Sequence, residues 1–429
     1  MAKCFLLCLT LMSLFIHTGF AQKPVKEVHQ LDFFDLLVKK EKRDHKGKDT
    51  IPVKPYKLYF SILPFVGYNP AMGAAAGFTM NPAIYLGDMA TTPISSFAMN
   101  ATITSRSQFL FNIRSNIFSN GARLILQGDW RLYFYSQPTY GLGSNLHDRD
   151  TSVFIIHTGD VGYTVSQAAY AMKFNYVRLH ETVNHRIFGK FYMGAGYHLD
   201  YHYNINDQNL DMESKTKILT PHYLYCYENG FNPKEYITSG MVLSILYDSR
   251  DNSIRPERGF YAKIIPRFNL TALGSDKSSI TVFSEFRTYI GLSRRNRAHL
   301  IAFWYQGCFL LDGKVPYLDL PAVGWDTYNR SGRGYVQGRI RGVNMVYGEA
   351  EYRFPISPYT RILSGVLFVN ATTSDDPQNG IHLFNYLAPA FGAGLRVMFN
   401  KKVNANLTID MGFGMNDSKG LFLNLTETF

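Results

Sequence analysis

From Tyr56 to the C-terminus, apolar and polar residues alternate along one stretch after another, and few folds can use that pattern. Period two is the signature of a strand with one apolar and one polar face. In 122–135, Leu124, Leu126, Trp130, Leu132 and Phe134 oppose Arg123, Gln127, Asp129 and Arg131. In 403–413, Val403, Leu407, Ile409, Met411 and Phe413 oppose Asn404, Asn406, Thr408 and Asp410. In 186–205, Ile187, Phe191, Met193, Tyr197, Leu199, Tyr201 and Tyr203 oppose Lys190, His198, Asp200 and His202. The expected strands are often roughly 10–14 residues long, whereas soluble strands usually run ~5–6. A tilted strand of ~9–11 residues crosses a bilayer. Charges in mid-strand need a wet interior, which a barrel in lipid supplies. The expectation is an all-β transmembrane antiparallel barrel.

The N-terminus agrees with export. Lys3 precedes an apolar run from Cys4 to Ile16, and Gly19-Phe20-Ala21 puts small residues at −3 and −1. Residues 1–21 thus read as a signal peptide cleaved after Ala21. Residues 22–56 are Lys-rich, with one apolar patch at Leu31–Val38, and read as a short periplasmic segment. Residues 57–429 are the barrel, and the reading places it in the outer membrane of a Gram-negative cell. A net charge of +11 suits anionic lipid head groups or an ordinary basic surface. Export argues against nucleic acid as a partner.

Strands are expected near 57–66, 72–80, 97–105, 108–118, 121–135, 168–180, 186–205 and 236–248. Others lie near 259–270, 278–291, 297–311, 344–354, 361–371, 387–399, 403–413 and 420–428, with a hairpin at 153–164 inside a loop. Sixteen strands put both termini in the periplasm. Short turns are expected at Ser119–Gly121, Asn184–His185 and Arg294–Asn296, and long external loops at Ser136–Val153, Asn206–Glu235 and Asp312–Gly342. The chain closes LFLNLTETF, with Leu421, Leu423, Leu425 and Phe429 on one face. That ending resembles the signal by which outer-membrane barrels are recognised for insertion.

Two motifs carry a closer resemblance. YDSRDNSIRPERGFY, with Asp248, Arg250, Asp251 and Gly259, joins two alternating strands with turn-forming residues. RGYVQGRIRGVNMVYGEAEYRFP runs from Arg333-Gly334-Tyr335 into a strand bearing Glu349, Glu351 and Arg353 on one face. Together they resemble the bacterial surface-antigen family, the barrels of the BamA and TamA type. The resemblance implies sixteen strands and a long sixth external loop folded into the lumen, its tip Arg333 paired with carboxylates on following strands. Glu351 stands in the matching position. The next strand reads Phe368-Val369-Asn370-Ala371-Thr372, with Asn where the family pattern has Asp and Thr where it has Gly, so Glu351, with Glu349 or Asp410, is expected to supply the missing charge. About 35 residues between Ala21 and the first strand are too few for a POTRA domain, the client-docking unit of such proteins.

The resemblance implies assistance to insertion or export of other proteins through a weak seam between first and last strands. A plugged or narrow solute pore and a partner scaffold are the alternatives. Outer-membrane lipids, the assembly machinery that inserts the barrel, and periplasmic or membrane proteins are the expected partners. No enzyme motif is present: neither GxSxG, a P-loop, HExxH nor an EF-hand loop. No cofactor or metal is expected; His198, Asp200 and His202 share a face and read as solvated lumen residues.

Overall fold

The computed structural model describes residues 54–429, except 70–72, 147–152, 159–160, 167–168, 214–216, 294–297, 358–361, 401–404 and 425–426. The expected signal peptide, nearly all of the 22–56 segment, the Arg294–Asn296 turn and Leu425 lie outside the described residues.

One antiparallel sheet of seventeen strands makes up the wall. One of these is a two-residue piece, Ala83–Ile84, which leaves sixteen staves. The first four are β1 (Ile62–Asn69), β2 (Gly73–Met80), β3 (Ser95–Thr104) and β4 (Phe109–Phe118). β5 (Leu124–Thr139), β6 (Tyr170–Phe188), β7 (Phe191–Asp207) and β8 (Tyr236–Asp248) follow. Next come β9 (Gly259–Asn269), β10 (Ser279–Gly291), β11 (Leu300–Gly313) and β12 (Met345–Pro355). β13 (Leu363–Ser374), β14 (Ala388–Asn400), β15 (Ala405–Phe413) and β16 (Lys419–Asn424) finish the wall. Each stave pairs with the next in sequence. Among the described residues no pairing joins β1 to β16.

The sheet curls on itself. Ser253, between β8 and β9, donates to the Ile94 carbonyl just before β3 at 3.2 Å, and Ile254 packs on Tyr59, Ala83 and Ile94. The sidedness is that of a barrel in lipid. Leu179, Val183, Met193, Met241, Leu243, Phe303, Leu367, Val369, Phe391 and Leu421 are exposed on the outside. Asp129, Arg131, Thr182, Asp200, Glu285, Arg287, Glu349, Glu351, Arg396 and Asp410 are buried inside. Hydrocarbon tolerates the first set and would expel the second.

The long connections are the external ones. The third contains a hairpin, Val153–Thr158 with Val161–Ser166. The fourth carries helix α1 (Pro221–Asn229), capped by Thr220 Oγ1, which accepts from Tyr223 N, and ended by Gly230 at φ 67°. α1 covers one end of the lumen by burying Tyr225 and Cys226 against Tyr236, Val315 and Tyr317. Cys226 and Cys308 are both free thiols.

One turn is displaced from its expected position. β6 runs through Asn184–His185 to Phe188. The reversal falls at Gly189, whose φ of 51° a glycine adopts without strain. The alternation continues across 184–185, with Thr182 and Asn184 inward and Val183 and Ile187 outward, so nothing there ends the strand.

Candidate functional site

The connection 314–344 between β11 and β12 is the sixth external one, and it lies inside the barrel. Its tip turns at Gly332 (φ 74°) and Gly334 (φ 119°), which place Arg333 between them. The Arg333 side chain is buried, and three carboxylates surround it. Nη2 donates to Glu349 Oε1 at 2.5 Å and to Glu351, Nε to Glu349 Oε2 at 3.2 Å, and Nη1 to Asp410 Oδ2 at 2.8 Å. The Phe368 ring lies 3.7 Å from the guanidinium carbon.

Strand register explains why these groups meet. Alternation sends Glu349 and Glu351 inward from β12, where they stand opposite Asn370 and Phe368 of β13. Phe368 faces Gly392, Gly392 faces Gly412, and Asp410 is two residues from Gly412 on β15. A side chain at Gly412 would sit 2.7 Å from the Gly334 nitrogen, so the absence of one lets the tip seat against the wall. Asn370 Nδ2 donates to the Arg333 carbonyl at 3.0 Å. The departure from the family pattern thus holds the loop's backbone, and both Glu349 and Asp410 supply charge.

The cluster extends past the tip. Arg353 donates from Nε to Glu351 Oε2 at 2.7 Å, and Arg396 pairs with Asp410 and, through Nε at 2.8 Å, with Glu427. Arg353 and Arg255 lie 3.9 and 3.8 Å from Glu427. Four arginines, Arg255, Arg333, Arg353 and Arg396, therefore balance four acids, Glu349, Glu351, Asp410 and Glu427. Buried charges persist only when paired and hydrogen-bonded in this way. Arg396 was readable from the alternation of GAGLRVMF; Glu427 had no comparable signal.

The loop also reaches the opposite wall. Arg131 of β5 donates to Asn329 Oδ1 and to the Asp326 carbonyl, both at 2.9 Å. Arg114 of β4 donates to the Thr327 carbonyl at 2.9 Å. The turn is held by Asp326 Oδ1, which accepts from Arg330 N and Ser331 N. Loop six spans the lumen, tied to carboxylates on one side and mostly to carbonyls on the other.

The other predicted residues lie elsewhere. Arg250 clasps Asp248 through Nε (2.9 Å) and Nη2 (2.8 Å) and covers the Tyr261 ring at 4.5 Å. Asp251 Oδ1 accepts from Glu257 N and Arg258 N, and Gly259 has φ 97°. This motif closes its own turn, and only Arg255 within it reaches the loop-six cluster. Phe429 does not share the outward face of Leu421 and Leu423. Those two are exposed, whereas Phe429 is buried against Tyr289 and Trp304. Glu427 is held inside by Arg396 and Asn406, and Phe429 by the Arg353 guanidinium, so both side chains lie on the inner side. Asp200 and His202 are buried, and His198 is half-buried beside a void. Asp200 accepts from Arg178 Nε (2.8 Å) and Arg267 Nη1 (2.6 Å) and pairs with His180 (2.8 Å). His198 stacks on His180 at 3.9 Å, and His202 stacks on Tyr176 at 4.2 Å. Among the described residues no three metal-ligating side chains converge.

Comparison with known proteins fits this architecture. No curated protein sequence matches the chain. BamA from Haemophilus ducreyi lacking POTRA domains 1–3 superposes with a TM-score of 0.50 at 15% identity, over 85% of this chain and 68% of that one. CdiB from Acinetobacter baumannii gives a TM-score of 0.48 at 13% identity, over 86% and 60% respectively. The Omp85 superfamily domain matches residues 87–420, which is most of the barrel and includes both motifs. The chain belongs to the Omp85 superfamily, whose barrels reside in the outer membrane.

Proposed function

We propose that this barrel assists the insertion or export of other proteins at the outer membrane, working at the seam between β1 and β16. The observation that carries the reading is a plugged lumen beside two edges that no described pairing joins. Loop six crosses the interior from Arg333 to Asn329, and two voids beside it measure about 260 and 90 Å³. Among the described residues no pairing joins β1 to β16, whereas every other stave is paired on both sides. An edge without a partner presents backbone donors and acceptors to an incoming strand.

Reconstitution tests this. Liposomes containing the protein should fold a urea-unfolded outer-membrane barrel at least several-fold faster than empty ones. Large, steady single-channel conductance with no acceleration would instead favour a solute pore.

A further inference from the structure

The larger of the two voids borders an ammonium that the wall leaves unneutralised. Lys263 of β9 lines the void of about 260 Å³, as do Tyr261 and Arg267 on the same inner face of that strand. Register sets Lys263 opposite Glu285 of β10, an opposite-charge pair of the kind that stabilises neighbouring strands. Glu285 is engaged elsewhere. Its Oε1 accepts from Arg287 Nε and from Trp304 Nε1, both at 2.9 Å. Among the described residues no carboxylate lies within 4.0 Å of the Lys263 ammonium, and no hydrogen bond satisfies it.

The other charges on this border are committed. Arg178 and Arg267 share Asp200, at 2.8 and 2.6 Å, and Arg178 also reaches Asp129 at 3.2 Å. Asp319 accepts from Thr238 Oγ1 and lies 3.2 Å from His202 Nδ1, and Asp326 is occupied by its turn. Among the described residues, Lys263 is thus the one cation on the border without a carboxylate. A second group points to the same chemistry. Gln306 of β11 is 3% exposed and lines the void, and its amide Oε1 is buried without a partner. It stands opposite Glu285, two strand spacings from Lys263, or about 10 Å between backbones. A lysine side chain and a small anion span that gap together, and the amide can turn its N–H groups toward an acceptor.

We propose that this void is a binding site for a small soluble oxyanion of the phosphate class, the free ion or a monoester, seated on Lys263 with the Gln306 amide as second donor. Binding supplies the countercharge that the wall withholds. Trp325 and Tyr328 of loop six line the same void, so the ligand touches plug and wall together. The site does not depend on the seam reading.

The test uses the full wild-type chain in detergent and pyridoxal 5′-phosphate, whose aldehyde condenses with a lysine amine, followed by borohydride and peptide mapping. Relative to exposed Lys57 in the same sample, Lys263 should be labelled at least tenfold more than by pyridoxal, which lacks the phosphate. An equal ratio for the two aldehydes, or no labelling of Lys263, would overturn the proposal. Inorganic phosphate or glycerol 3-phosphate should then protect Lys263 at least fivefold. Protection by the inorganic ion assigns the site to free phosphate, protection by glycerol 3-phosphate alone assigns it to a monoester, and protection by neither overturns it. Calorimetry with the protecting anion should show at least tenfold weaker binding to Lys263→Met and retained binding to Lys263→Arg. Undiminished affinity in Lys263→Met would also overturn the proposal.

Discussion

The β12–β15 wall and the β16–β1 seam adjoin one another and are built in opposite ways. The wall strands have 11, 12, 13 and 9 residues, and their inner face holds the arginine–carboxylate cluster that fixes loop six. Among the described residues no pairing joins the seam strands, β16 and β1. The difference teaches where rigidity is concentrated. A multidentate guanidinium among carboxylates gives a fixed geometry that a point charge could not. Next to it, no ladder among the described residues joins β16 to β1, and Glu427 and Phe429 are held by side chains.

Substitutions can break or sharpen that contrast. Arg333→Ala should have the largest effect, because it leaves three buried carboxylates without their shared cation. The expected loss is about 3–5 kcal/mol in urea unfolding from lipid vesicles, with loop six becoming open to trypsin. Unchanged stability and trypsin resistance would erase the distinction between wall and seam. Asn370→Asp should come next, although it restores the family pattern. It removes the donor to the Arg333 carbonyl and sets a fourth carboxylate where Nδ2 lies 3.4 Å from Glu349 Oε2. A loss of about 1–3 kcal/mol is expected, and stabilisation would show that the cluster is short of negative charge. Arg114→Ala on the opposite wall should cost only about 1 kcal/mol, the worth of one bond to a carbonyl. A larger loss there would make the two ends of loop six equal anchors. Val66→Ala, at the outer face of β1, should change stability least, within about 0.5 kcal/mol.

Much of this was legible because period two fixes sides. Once a strand is placed, Glu349, Glu351 and Asp410 must point inward together, and Arg333 at a Gly-flanked tip is the group able to meet them. The same rule hid the turn after β6, since alternation runs unbroken through Asn184 and only Gly189 marks the reversal. It also misplaced Phe429. Alternation holds for a strand, and Glu427 and Phe429 instead follow the arginines that bind them. Loop six's second anchor, Arg131 with Asn329, joins residues far apart in sequence through a turn that no periodicity encodes.

The central claim is that the work is done at the seam while the lumen stays plugged. Val66→Cys on β1 and Leu421→Cys on β16, joined by a cleavable bifunctional maleimide, test it in the reconstituted folding assay. Joining the two edges should abolish the acceleration of client folding, and cleaving the linker should restore it. An undiminished rate with the linker in place would contradict the account.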